Sequence, residues 1–296
     1  ALDNSSLTLM HQIISCALFL GFENSKLNAD SKIICPVPGY DRHFKLLENF
    51  GVEMLTVPFQ KDGPDLDAIK DLLKNESNIH GIVCVPRHSN PTGHTYSDSN
   101  VEQLFELLVP HKENFSIFWD NAYACHDIEA TLQQTPADQI AKRFGLENNL
   151  FQVGSTSKIT LAGSGISFIS SSLENLSKFI DFRSAITPGP NKMNQGIHVK
   201  YFELVSIEQQ MSELKKIIKP KFELVDDILK PLKDEGYCTY NKPTGGYFYS
   251  IDSATSNADE IVQTCSQLGL KLLPMGSCFP YGADPDKSNI RLAPTF

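Results

Sequence analysis

Lys158 stands in the run Gly154-Ser155-Thr156-Ser157-Lys158-Ile159-Thr160, directly after an apolar segment. A lysine amine becomes a nucleophile when burial and neighbouring charge hold it unprotonated near neutral pH. Taken alone, Ser-x-Ser-Lys is a common turn composition, and a solvated charge is the ordinary reading. Ser155 and Ser157, however, stand beside the lysine with hydroxyl donors that suit a phosphate. Ser5 and Ser6 open an apolar-periodic segment, where a helix N-terminus offers unpaired N–H groups to an anion. An ordinary helix cap is the simpler account of that pair, and it weakens only because the other parts are present.

Those parts are spread along the chain. Asn90 lies in Ser89-Asn90-Pro91-Thr92-Gly93, a good β-turn sequence whose amide can also donate to an anionic ring oxygen. Asp120 ends the apolar run Phe115–Trp119, and a carboxylate there can keep a pyridinium nitrogen protonated. Tyr123 can bring its hydroxyl to the same ring oxygen as Asn90. Tyr40, in Pro38-Gly39-Tyr40-Asp41, can stack on a ring face. Arg291, in an apolar strand, needs a partner for its charge, either a buried Asp or a substrate α-carboxylate matched to its fork. An amine, an acid for a ring nitrogen, donors for a phenolate, hydroxyls for a phosphate and a fork for a carboxylate fit pyridoxal 5'-phosphate acting on an amino acid.

The elements that must position these residues alternate. Segments 33–37, 53–58, 82–86, 115–120 and 150–154 read as buried strands, and 66–73, 100–108 and 137–144 as helices between them. A first helix follows the Asn4-Ser5-Ser6 cap and ends at Gly21. This α/β alternation predicts a mostly parallel sheet with helices on both faces, and ligands beyond the carboxyl ends of its strands. Tyr40, Asn90, Asp120 and Lys158 all fall at such ends. A long helix over 192–232, interrupted at Pro220, leads to a smaller α+β part. There, strands are expected at 236–240, 246–251 and 270–274, with a helix over 258–268 and a further strand running to Phe296. The division predicted is residues 1–213 for a large domain and 214–296 for a small one.

Charge and composition narrow the class. The chain has 296 residues and a net charge of −9, with its lysines and arginines scattered, which argues against nucleic acid. No apolar run is long enough to cross a membrane, and no signal-peptide pattern opens the sequence. Seven cysteines without paired spacing point to a reducing cytoplasm, with Cys16, Cys35, Cys84 and Cys265 read as core thiols. No metal site is expected. His88, His126 and His198 lack ligand spacing and read as satisfied surface or loop histidines. Gly163-Ser164-Gly165 lacks the full dinucleotide fingerprint.

The order and intervals of these motifs resemble the fold-type I pyridoxal phosphate enzymes, specifically the class I/II aminotransferases. Asn90 to Asp120 is 120 − 90 = 30 positions, Asp120 to Lys158 is 38 and Lys158 to Arg291 is 133. The run Cys35–Phe44, with Ser155–Thr160, Gly189–Gln195 and Pro280-Tyr281-Gly282, is similar to the aspartate aminotransferase subgroup Ic. The resemblance implies a three-layer α/β/α architecture with a seven-stranded-type sheet, and a homodimer with shared active sites. It also implies pyridoxal 5'-phosphate bound by Ser5, Ser6, Tyr40, Asn90, Asp120, Tyr123, Ser155, Ser157 and Lys158. Aspartate with 2-oxoglutarate is the implied substrate pair, with Arg291 and Asn90 on the substrate and Lys158, Asp120 and Tyr123 catalytic. A β-lyase or decarboxylase of the same fold, or an aminotransferase-like ligand-sensing domain of a transcription regulator, remains the alternative.

Two departures accompany the resemblance. Most class I members carry a phosphate-binding arginine seven or eight residues after the lysine, where this chain has Gly165 and Ile166. Serines, the helix dipole and Lys192 or Asn194 are the expected substitutes. The family also extends further at both ends, so the sequence reads as a fragment that is inactive by itself. A second carboxylate on the substrate needs another cation, with Arg87 and Lys192 as candidates inside the chain.

Overall fold

A computed structural model describes residues 2–129, 133–255 and 257–295. Seven strands form the larger sheet: β1 Lys32–Val37, β2 Glu53–Gln60, β3 Gly63–Pro64, β4 Ile79–Cys84, β5 Ser116–Asp120, β6 Leu150–Ser155 and β7 Ser167–Ser170. Their order is β3-β2-β1-β4-β5-β6-β7. Pairing is parallel from β2 through β6 and antiparallel at the two edges. From β1 the chain moves outward to β2 on one side and then returns to β4 on the other. The crevice at such a reversal, beyond the carboxyl ends of β1 and β4, is where open α/β sheets bind ligands.

Helices cover both faces: α1 Ser6–Phe19, α2 Asp41–Asn49, α3 Leu66–Asn75, α4 Asp98–Leu108, α5 Ala137–Phe144 and α6 Leu173–Ser184. Successive strand residues therefore enter different cores. Ile33, Cys35, Phe118 and Val153 pack with α1 and α2, whereas Ile34, Ile117 and Trp119 pack with α4 and α5. Asp120 has the parity of Phe118, so its carboxylate emerges on the α2 side of the sheet. α1 is capped by Ser5, whose Oγ accepts from Thr8 N–H at 3.2 Å, and it ends before Gly21 at φ 73°.

Beyond the sheet come α7 Lys192–Leu204 and α8 Ile207–Asp234, then β8 Cys238–Tyr240, β9 Tyr249–Ser253, α9 Ala258–Gln267 and β10 Asn289–Leu292. The last three strands form an antiparallel sheet ordered β10-β9-β8, over a core that includes Ile218, Phe222, Tyr249 and Ile290. No helix among the described residues is long and apolar enough to cross a membrane.

Several expectations change here. The helical stretch breaks at Val205-Ser206, not at Pro220: Ser206 caps α8, its Oγ accepting from Gln209 N–H at 3.1 Å. Pro220 is exposed inside α8, so the carbonyl it leaves unbonded faces water. Residues 270–274 form no strand; the third strand of the small sheet is β10, which ends at Leu292, and Phe296 lies outside the described residues. α2 and α6 are helices outside those expected from the sequence. Cys16, Cys35 and Cys84 are buried, but Cys265 is only half-buried. His88, His126 and His198 are not surface residues, with exposures of 1%, 3% and 4%.

Candidate active site

The carboxyl ends of β1, β4, β5 and β6 deliver Tyr40, Asn90, Asp120 and Lys158 to one place. Asp120 is 3% exposed. Its Oδ2 lies 3.0 Å from His43 Nε2, and its Oδ1 accepts from Ala122 N–H at 3.1 Å. His43 sits on the first turn of α2, three residues after Tyr40, whose ring meets it edge-on at 4.9 Å. The helix thus turns its buried ring toward the strand-end carboxylate. Burial and the nearby Asp120 charge push the Tyr40 phenol up to about 12.

Lys158 occupies the turn after β6. Its Nζ lies 4.8 Å from the centroid of the Tyr123 ring. Burial draws the amine below the ordinary lysine range, opposed by the negative charge of Asp120. The Tyr247 hydroxyl donates to the Lys158 carbonyl at 2.9 Å. Burial holds the Tyr123 phenol well above its usual range.

Asn90 joins the ring-side group to the arginine. Its Nδ2 donates to Tyr123 Oη at 3.4 Å, and its Oδ1 accepts from Arg291 Nη1 at 3.1 Å. Arg291 Nη1 also donates to Asp41 Oδ1 at 2.8 Å, with the guanidinium carbon 5.0 Å from the Phe248 ring centroid. The partner that an arginine in an apolar strand requires is therefore the half-buried Asp41, from the start of α2.

The four serines gather on the side of α1. Ser155 Oγ donates to Ser157 Oγ at 3.2 Å, and Ser157 Oγ donates to the Asn4 carbonyl at 3.1 Å. Asn4 immediately precedes the Ser5 cap, and Ser6 is buried in the first turn. Asp3 and Ser167 form a bridge beside β7, and Arg183 Nη1 holds Asp3 Oδ2 at 3.1 Å. The start of α1 is thereby tied to the sheet edge beside the lysine loop.

Hydroxyls and a helix N-terminus at one end, a carboxylate and an Asn–Tyr pair at the other, and a desolvated amine between them match the donor chemistry of pyridoxal 5'-phosphate. Neither candidate for a second cation is seen in this cluster. Arg87 donates from Nη2 to both Asp127 oxygens at 2.8 Å, alongside His88 Nε2 at 2.8 Å from Asp127 Oδ1. Lys192 is exposed on the first turn of α7. His43, Tyr247 and Phe248 were not singled out from sequence. The available signals were the helical spacing of Tyr40 and His43, and the aromatic pair after Gly245-Gly246.

Residues 1–296 match the family model described as aspartate amino-transferase. An aspartate aminotransferase of Corynebacterium glutamicum is 37% identical over 302 residues, covering 99% of this chain and 69% of that protein. The solved structure of an aspartate transaminase from Corynebacterium glutamicum gives a TM-score of 0.92 at 36% identity, covering 99% of this chain and 70% of that one. LysN, the α-aminoadipate aminotransferase of Thermus thermophilus, gives 0.81 at 19% identity, with coverage of 99% and 70%, a likeness of fold. With an expected motif at the end of each central strand and a match along its whole length, the chain belongs to the aspartate aminotransferase family.

Proposed function

We propose that this aminotransferase exchanges the amino group of aspartate with 2-oxoglutarate, using pyridoxal 5'-phosphate held by Lys158, Asp120, Asn90, Tyr123, Tyr40 and the serines 5, 6, 155 and 157. The observation that carries the reading is Lys158 itself. Its amine is desolvated beside Tyr123, and the charge of Asp120 is felt there. When bound, the cofactor supplies an electron sink for the charge that develops at the amino acid Cα.

The chain's own residues account for the rest. Arg291 exchanges one Asp41 contact for the substrate α-carboxylate and keeps Asn90 as its second acceptor. Lys158, with its proton affinity lowered by burial, takes the proton from Cα and returns it on the other side of the reaction. His43 holds Asp120 from behind, so the carboxylate stays aimed from the end of β5. Asn90 and Tyr123 orient each other's polar atoms toward one ring edge. Closure of this cluster by Tyr247 and Phe248 keeps water from the amine.

Aspartate preference rests on the name of the 37% identical relative, and among the described residues neither Arg87 nor Lys192 joins the cluster to add to it. The division at residues 213 and 214 belongs to the same reading and falls within α8. Exposed Leu173, Met193 and Leu204, on α6 and α7, support a homodimer. Seven free cysteines are consistent with the cytoplasm.

The test is a single half-reaction of the intact, cofactor-loaded protein with aspartate and no oxo acid. Oxaloacetate formed in proportion to enzyme, without ammonia, is the expected result. Pyruvate with ammonia makes the protein a lyase, and no reaction with aspartate alongside turnover of another amino acid removes the substrate assignment.

A further inference from the structure

Residues 156–166 form the loop that closes the β6–β7 hairpin and carries Lys158. The loop is pinned at its neck, where Thr156 N–H donates to the Ile166 carbonyl at 2.9 Å and Ile166 N–H donates to Thr156 Oγ1 at 3.0 Å. α7 lies across it and presents two buried polar residues four positions apart, hence on one face. Asn194, 8% exposed, donates from Nδ2 to the Gly165 carbonyl at 2.7 Å and to Asn4 Oδ1 at 3.5 Å. His198, 4% exposed, places Nε2 2.9 Å from Thr160 Oγ1 and 3.2 Å from Thr156 Oγ1. Its Nδ1–H donates to the Asn194 carbonyl at 2.9 Å. One helix face therefore grips both ends of the lysine loop and, through Asn4, the start of α1.

Gly165 explains why such a grip is needed. A Cβ at this position would come 2.8 Å from Ser157 N and 2.9 Å from its Cα and Oγ. No side chain fits there, so position 165 cannot contribute an arginine to a phosphate. The donors that remain nearby are hydroxyls and backbone N–H groups on two separate segments, 155–157 and 4–6. Weak donors on independent segments bind an anion well only if they are held in register beforehand.

We propose that Asn194 is a positioning residue for the cofactor phosphate: by bonding Gly165 and Asn4 together, it holds Ser157 and the N-terminus of α1 as one cup. The proposal rests on the cofactor site read above. Its support is the convergence of three segments far apart in sequence, carrying Asn4, Ser157 with Gly165, and Asn194, within one largely buried hydrogen-bond network.

The test compares pyridoxal 5'-phosphate with pyridoxal, its phosphate-free form, by absorbance titration of the intact apo-protein. Wild-type protein is expected to prefer the phosphorylated compound. Asn194→Ala should weaken pyridoxal 5'-phosphate about tenfold and leave pyridoxal within about twofold. Asn194→Asp keeps the shape but sets a carboxylate against the Gly165 carbonyl, and it should weaken the phosphorylated compound further. It also serves if the alanine variant does not fold, as checked by far-UV circular dichroism. An unchanged affinity for pyridoxal 5'-phosphate in both variants, or an equal loss for both compounds, overturns the positioning role. Equal binding of the two compounds by wild type removes the phosphate cup itself, a different result from loss of the Asn194 effect.

Discussion

The two ends of the candidate site are built on opposite principles. Around Asp120 the polar atoms are few, buried or half-buried, and individually paired: Asp120 with His43, Arg291 with Asp41, and Asn90 with Tyr123 and Arg291. Around Ser157 they are many, mostly uncharged, and shared among Ser155, Ser157, Asn4 and Asn194. Where a site relies on a few buried charges, removing one leaves its partner stranded in a poor solvent. Where it relies on a network of hydroxyls and amides, each member contributes modestly and the network's geometry matters more than any one atom.

That contrast can be broken or sharpened by substitution. Lys158→Ala should abolish the lysine-imine band of the cofactor-loaded protein and lower turnover by on the order of ten-thousandfold, read from the spectrum without amino acid present and from oxaloacetate formation. A retained band would overturn the assignment of the amine. Asp120→Ala leaves His43 without its acceptor and should lower kcat by about a thousandfold with little change in substrate affinity. Arg291→Ala should raise KM for amino acids by about a hundredfold, and the loss should extend to 2-oxo acids because both carry the same carboxylate. At the other end, Ser157→Ala should weaken cofactor binding by only about three- to tenfold in an equilibrium titration. A loss at Ser157 as large as that at Asp120 would erase the distinction between the two ends.

A separate effect concerns stability rather than activity, on the Tyr123 side of the lysine. His126, packed against Tyr123 and Tyr247, is driven down to about 4 by burial, against an ordinary value of 6.5. The unfolded chain therefore binds more protons than the folded one between those values. Stability is unaffected above pH 6.5 and falls as pH drops from 6.5 toward 4, by up to about 3 kcal/mol from this one ring. His88 and His94 are shifted the same way, also by burial. Urea unfolding midpoints at pH 7.5 and 5 should differ less in His126→Phe than in wild type. An equal difference would exclude His126 as a source of acid sensitivity.

Much of the site near Asp120 was legible because its residues close strands. Apolar runs end abruptly at Asp120 and, after a turn, at Asn90 and Lys158, and a parallel sheet brings strand ends together whatever the loops do. His43 was visible only as part of a motif. Its role depends on the parity of Phe118 and Asp120 along β5 and on the way α2 lies over that face. The break between α7 and α8 was misplaced for a related reason. A proline is a strong local signal, yet exposure made Pro220 tolerable, whereas Ser206 supplied a cap that composition did not advertise.

The sequence by itself determined the alternation of strands and helices, the strand-end positions of Asn90, Asp120 and Lys158, and the membership of a family that handles amino groups. The first two follow from hydrophobic period and turn chemistry, which act over a few residues; the family rests on the separate motifs taken together. Only the tertiary structure decided that Arg291 pairs with Asp41, that Tyr247 caps the lysine turn and that Asn194 reaches both Gly165 and Asn4. Each of those bonds joins segments far apart along the chain, and their meeting is set by how helices pack on the sheet rather than by any local preference.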